Sequence, residues 1–210
     1  MPYPNSLRET LADASVHLIG VLGAVIAGAG LIVYVARTQA TPEIAATSVY
    51  AGILIFAMIA SALYHLLPWD RSRALLLSID QAAIYLKIAG TYTPLVVLIG
   101  SAFSYVVLAG VWGVALVGAA LRLWQRTSDG TGTEVIYLAM GWASLLLIWP
   151  LAQVLPVTAV VLIVGGGLLY TVGTLFFRMR ALRYQNAIWH SFVLAASACF
   201  FGAVSLGVSA

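Results

Sequence analysis

Charge is what this sequence lacks: 10 Lys and Arg and 7 Asp and Glu among 210 residues make up 8% of the chain, where a soluble domain uses about a quarter. So thin a polar coat excludes a soluble globule. Cysteine is nearly missing too, and Cys199 alone excludes an intrachain disulfide framework and any cysteine-rich zinc module. The formal net charge of +3 rests on too few side chains to track a phosphate backbone, so no nucleic-acid partner is expected. What stands in their place is apolar. A hydrophobic share of 62% and a mean hydropathy of +1.02 identify an integral membrane protein.

Uncharged runs locate the spans, since a helix needs about 20 mostly apolar residues to cross the hydrocarbon core. Residues 14–36, 44–69 and 184–210 each hold one span. The run 135–177 divides at Pro150 and Pro156 into two spans, and 74–121 divides near Gly100 and Ser101, with Asp80 and Lys87 inside it. The prediction is an all-α membrane protein, a single domain over residues 1–210 built as a seven-transmembrane-helix bundle. Its spans are expected at about 14–36, 45–67, 76–99, 103–124, 135–153, 157–176 and 188–208. The apolar run after Asp13 is too long for a signal peptide, so the first span is expected to stay. Seven crossings put the termini on opposite sides. Arg8, Arg71, Arg73, Arg122, Arg126, Arg178, Arg180 and Arg183 then share the N-terminal side, against Arg37 alone on the other. Basic residues accumulate in the cytoplasm, so the N-terminus is expected to be cytoplasmic and the C-terminus extracytoplasmic.

Ionisable groups inside spans are costly to keep and mark function. They are Asp13, His17, His65, Asp80, Lys87 and His190. By the predicted topology His17, His65, Asp80 and His190 all lie toward the cytoplasmic face. Residues four apart share a helix face, which pairs Asp13 with His17, Ser61 with His65, and Asn186 with His190. Asp80 and Lys87, seven apart, lie on one stripe. An ammonium facing lipid is expensive, so Lys87 is expected to face inward, bridged to Asp80 by water or touching another inward polar group. Histidine with carboxylate suits zinc, and an open coordination position would polarise a water or a carbonyl. The same spacing also fits plain interfacial histidines with their nitrogens in water.

Three segments resemble the haemolysin III family, the bacterial branch of the progestin and adipoQ receptors, in the wider group that includes alkaline ceramidases. They are ETLADASVHLIG (residues 9–20), SALYHLLPWDRSRALLLSIDQAAIYLKIAGTYTP (61–94), and GGGLLYTVGTLFF (165–177) followed by NAIWHSFVLA (186–195). The resemblance implies a seven-helix bundle in a cell membrane, the bacterial inner membrane, and a zinc ion held by one His ending the second helix and two opening the seventh. Carried over, those positions are His65, Asn186 and His190, with Asp80 reaching the ion through water and Ser61 at the family's serine. Asn186 departs from the pattern. An amide is a poorer zinc ligand than imidazole, so either His17 or Asp80 completes the site or the metal has gone.

Two functions follow. The resemblance to ceramidases implies a zinc-dependent hydrolase of a lipid amide or ester, with Ser61 and Asp80 catalytic and a membrane lipid as substrate. The alternative is a non-enzymatic membrane protein: an oligomeric cytolysin or pore, a receptor-like protein or a bilayer-maintenance factor. Among the remaining features, Gly165, Gly166 and Gly167 are expected to permit close helix approach, and Trp69, Trp124 and Trp189 to anchor at the interface. Tyr85 and Tyr92 are expected to pack, or to line a cavity.

Overall fold

A computed structural model describes residues 6–68, 70–125 and 133–210; Trp69 and Arg126 lie outside the described residues. Helix α1 spans Leu7–Thr38, α2 Thr41–Leu66, α3 Arg73–Ile99, α4 Ala102–Gln125, α5 Thr133–Trp142, α6 Ile148–Val154, α7 Val157–Arg178 and α8 Gln185–Ser209. Among the described residues seven helical segments are long and apolar enough to cross a membrane, the fifth running from Glu134 to Val154 through α5 and α6. The chain is an all-α, seven-span membrane protein.

The first helix begins earlier than the charge pattern predicts, and the reason is a capping box. Ser6 N–H donates to Glu9 Oε2 at 2.8 Å, and Glu9 N–H donates back to Ser6 Oγ at 3.4 Å. This satisfies donors that an uncapped helix start leaves open, so α1 gains two turns. Asp13 thereby sits inside the helix, one turn before His17 on the same buried face.

The fifth span departs from a plain α-helix. Pro150 has no N–H to return to the carbonyl of residue 146, and the helix tightens to 3-10 over Ala143–Leu147 between α5 and α6. Carbonyls loosened by such a break need partners at membrane depth. The Tyr92 hydroxyl supplies one, donating to Met140 O at 2.7 Å with Gly141 O at 3.1 Å. At the other turn, α3 ends on Gly100 in the left-handed region, φ 66°, where glycine carries no steric penalty.

Helix α3 is the most enclosed span and packs on α2, α4, α5, α6 and α8, while α8 also packs on α7 and α1. Gly166 makes one of these approaches possible: an added Cβ there would lie 2.9 Å from the Phe200 ring, whereas Gly165 faces open space. Of the three consecutive glycines, the middle one meets α8. Trp189 wedges against Phe177 at 5.2 Å between ring centroids, so it joins α7 to α8, while Trp124 is exposed. Because the chain crosses back and forth, the start of α1, the end of α2 and the starts of α3 and α8 all reach one end of the bundle. That end carries the histidines.

Candidate metal centre

Four side chains from three helices converge there. Asp13 and His17 come from the inner face of α1, His65 from the last turn of α2 and His190 from the second turn of α8. One ligand atom from each lies within 4.8 Å of the others. Asp13 is at the middle. Its Oδ1 is 2.7 Å from His190 Nδ1 and 3.7 Å from His17 Nε2, and its Oδ2 is 3.8 Å from His65 Nδ1. The rings crowd together, with centroids 4.3 Å apart for His17 and His190, 4.4 Å for His65 and His190, and 5.3 Å for His17 and His65.

The donor set fits a divalent ion. A zinc with bonds of about 2 Å can bridge ligand atoms no farther apart than roughly 4 Å once the side chains settle on it, and the observed spread is close to that. Three imidazoles and one carboxylate are borderline ligands suited to zinc, and four is its usual number. A second observation agrees: His17 Nε2 is buried and has no hydrogen-bond partner. A buried polar atom left unpaired is costly, and an ion at the centre of the cluster would satisfy it.

Each ionisable residue singled out within the spans has a definite place. His17, His65 and His190 stand in the cluster. Asp80 lies just outside it, its Oδ2 3.9 Å from His65 Nε2, with Ser61 as a polar neighbour of its carboxyl. Asn186, one turn before His190, lines the adjoining cavity together with Ser61 and Asp80. The carboxylate of the cluster is Asp13, which the ligand set read from the sequence omits although its i, i+4 relation to His17 puts both on one face. Lys87 contacts an inward polar group: its Nζ donates to Ser197 Oγ at 2.7 Å and lies 5.5 Å from the centroid of the Tyr170 ring. Tyr92 lines the cavity, and Tyr85 packs edge-on against Tyr137 at 4.6 Å.

The cavity has a volume of about 960 Å³. At the histidine end it is bordered by Glu9, Arg73, Glu134 and Arg178, and at its other end by Leu54, Leu147, Leu151 and Ile163. Two links tie helices together at the charged end: Arg178 pairs with Glu134 at 3.0 Å, and Tyr184 N–H donates to Glu9 Oε1 at 3.2 Å. The chamber thus has a polar end and an apolar end.

The family model described as "Haemolysin-III related" matches residues 6–201 of the chain. The chain is 33% identical over 199 residues to a protein named "Hemolysin-3 homolog" from Bacillus subtilis (strain 168), covering 93% of this chain and 92% of that one. It is 32% identical over 196 residues to "Hemolysin-3" of Bacillus cereus, covering 93% of this chain and 90% of that protein.

Proposed function

The chain belongs to the haemolysin-III related family, and on that premise we propose that it is a zinc-dependent hydrolase of a lipid amide or ester, acting at the cytoplasmic end of its helix bundle. The observation that carries this is the buried Asp13, His17, His65 and His190 group opening on a chamber with polar and apolar ends. Asp13, His17, His65 and His190 would hold the ion, which when bound supplies Lewis acidity toward a carbonyl and toward water.

The remaining chemistry belongs to side chains. Asp80, 3.9 Å from His65 and outside the four donors, accepts a proton as water attacks the substrate carbonyl and returns it to the leaving nitrogen or oxygen. Ser61, beside that carboxyl, donates to the oxyanion as it develops. The apolar end around Leu54 and Leu151 takes the acyl chain. Asn186 and Gln185, at the polar end, are placed to meet the head group.

The test is hydrolysis of a defined N-acyl lipid, and of the corresponding ester, by purified protein reconstituted in vesicles. Release of the acyl chain should stop on chelation and return with added zinc. Hydrolysis that continues in chelator contradicts the metal-dependent reading.

A second reading rests on the names of the two relatives: lysis of a membrane by an oligomer of this chain. Dye release from the same vesicles separates the two, since leakage without acyl release favours lysis. A single chain is poorly built for a pore, because the deep end of the chamber is lined by leucines and Ile163.

The eight-to-one bias of basic residues supports a cytoplasmic N-terminus in the bacterial inner membrane. With Cys199 replaced by serine, cysteine introduced as Arg71→Cys should resist an impermeant thiol reagent on intact cells, and Ala210→Cys should react. The opposite pattern reverses the orientation and moves the histidine cluster to the outer face.

A further inference from the structure

Deeper in the same cavity stands a cation that the hydrolytic chemistry does not use. Lys87 is seven residues beyond Asp80 on α3, roughly 10 Å along the helix axis, and it projects from the most enclosed span. Its ammonium has three N–H donors. One reaches Ser197 Oγ at 2.7 Å, and the Tyr170 ring faces the ammonium at 5.5 Å. Among the described residues no carboxylate forms an ion pair with it. The carboxylate two turns away, Asp80, lies 3.9 Å from His65 Nε2 and is an electrostatic neighbour of Lys87 without a direct ion pair to it.

One phenol stands beside the Lys87 and Ser197 pair, and a second neighbours that phenol. Tyr170 Oη is 3.5 Å from Ser197 Oγ, and Tyr170 is an electrostatic neighbour of the Tyr50 phenol. Tyr50 is 2% exposed, lines the cavity, and its hydroxyl has no hydrogen-bond partner. The station therefore offers a positive charge, spare N–H groups and an unused phenolic O–H. Ser197 already donates to Val193 O at 2.6 Å, so its oxygen serves the lysine. The unused donors at this depth call for a hydrogen-bond acceptor, and the ammonium without a direct ion pair favours an anionic one.

We infer that Lys87, Tyr50 and Tyr170 form a carboxylate-binding station inside the bundle, whose ligand is the ionised head of a long-chain fatty acid. A carboxylate has two oxygens and accepts bonds from both the ammonium and a phenol at once. Leu54, Ile163 and Phe200, which line the same cavity, supply the apolar wall that an acyl chain needs. The station stands on its own geometry and requires no metal. Its place in catalysis, retaining the acid that amide or ester hydrolysis releases, rests on the hydrolase reading.

The experiment is equilibrium binding of radiolabelled palmitate to the purified full-length chain in detergent, with methyl palmitate and acetate as competitors. Palmitate should bind in one-to-one ratio. Methyl palmitate should compete at least about tenfold less well, as expected for loss of a charge-assisted hydrogen bond, and acetate should not compete. Lys87→Met should weaken palmitate binding about tenfold or more, Tyr50→Phe severalfold, and Lys87→Arg should preserve it. Binding should survive chelation, whatever the fate of hydrolysis.

Equal competition by palmitate and its methyl ester overturns the proposal, as does unchanged binding to Lys87→Met. Competition by acetate equal to that by palmitate overturns the acyl assignment in favour of a small-anion site. Loss of binding on chelation without any effect of Lys87→Met places the carboxylate at the histidine cluster and also overturns it. If Lys87→Met does not fold, the ligand series on the native chain and Tyr50→Phe decide the matter.

Discussion

Replacing Asp13 by asparagine is expected to empty the metal centre while leaving the bundle folded. The amide keeps the size of the carboxylate and can still accept from His190 Nδ1, now 2.7 Å from Asp13 Oδ1, so the packing of α1 on α8 survives. What is lost is the only carboxylate in a group otherwise made of three imidazoles. An amide oxygen is a far weaker zinc ligand than a carboxylate. Outer partners of a metal ligand are worth up to a hundredfold in affinity, and a direct ligand should be worth no less, so a loss on the order of a hundredfold, about 3 kcal/mol, is expected. Competition with a chromophoric chelator measures it. A variant that binds zinc within a few-fold of the native protein would show that Asp13 only orients His190. Asn186→His, added to Asp13→Asn, puts an imidazole one turn before His190 and should recover part of the affinity.

Asp80→Asn should separate chemistry from metal binding. Asp80 approaches the cluster only through His65, at 3.9 Å, and the four donors are complete without it. The substitution should leave zinc content unchanged. It removes the proton acceptor, and general-base catalysis contributes about 10²- to 10⁴-fold, so acyl release should fall by that factor with binding of substrate retained. Zinc and activity lost together would make Asp80 a metal ligand and contradict its assignment as the base.

The spacing of so few charges makes the architecture legible from sequence, because a membrane leaves a long helix as the only way to hide a backbone. The start of α1 is the instructive exception. A span counted from the last charge begins at residue 14 and leaves Asp13 outside, whereas Ser6 and Glu9 form a capping box that carries the helix past it. The Ser-x-x-Glu spacing signals a helix start, and a helix that starts there holds Asp13 and His17 on one face.

His65 and His190 are recognisable because each stands at a helix end on the same side, but which carboxylate meets them depends on how α1, α2 and α8 pack. Family position points to Asp80, and the geometry brings Asp13 closer. Lys87 is recognisable as an inward cation from its depth. Its partner Ser197 is 110 residues away and carries no local signal. The 3-10 segment of the fifth span is hinted at by Pro150 alone, and its companion Tyr92 is 48 residues from Met140.

The most direct measurement of the central claim is the metal content of the native protein, purified from zinc-replete cells without chelator, together with X-ray absorption at the zinc edge. One zinc per chain is expected, with a first shell of nitrogen and oxygen near 2 Å, multiple scattering from about three imidazoles and no sulfur. A protein that emerges without bound metal and takes up none on titration would contradict the account.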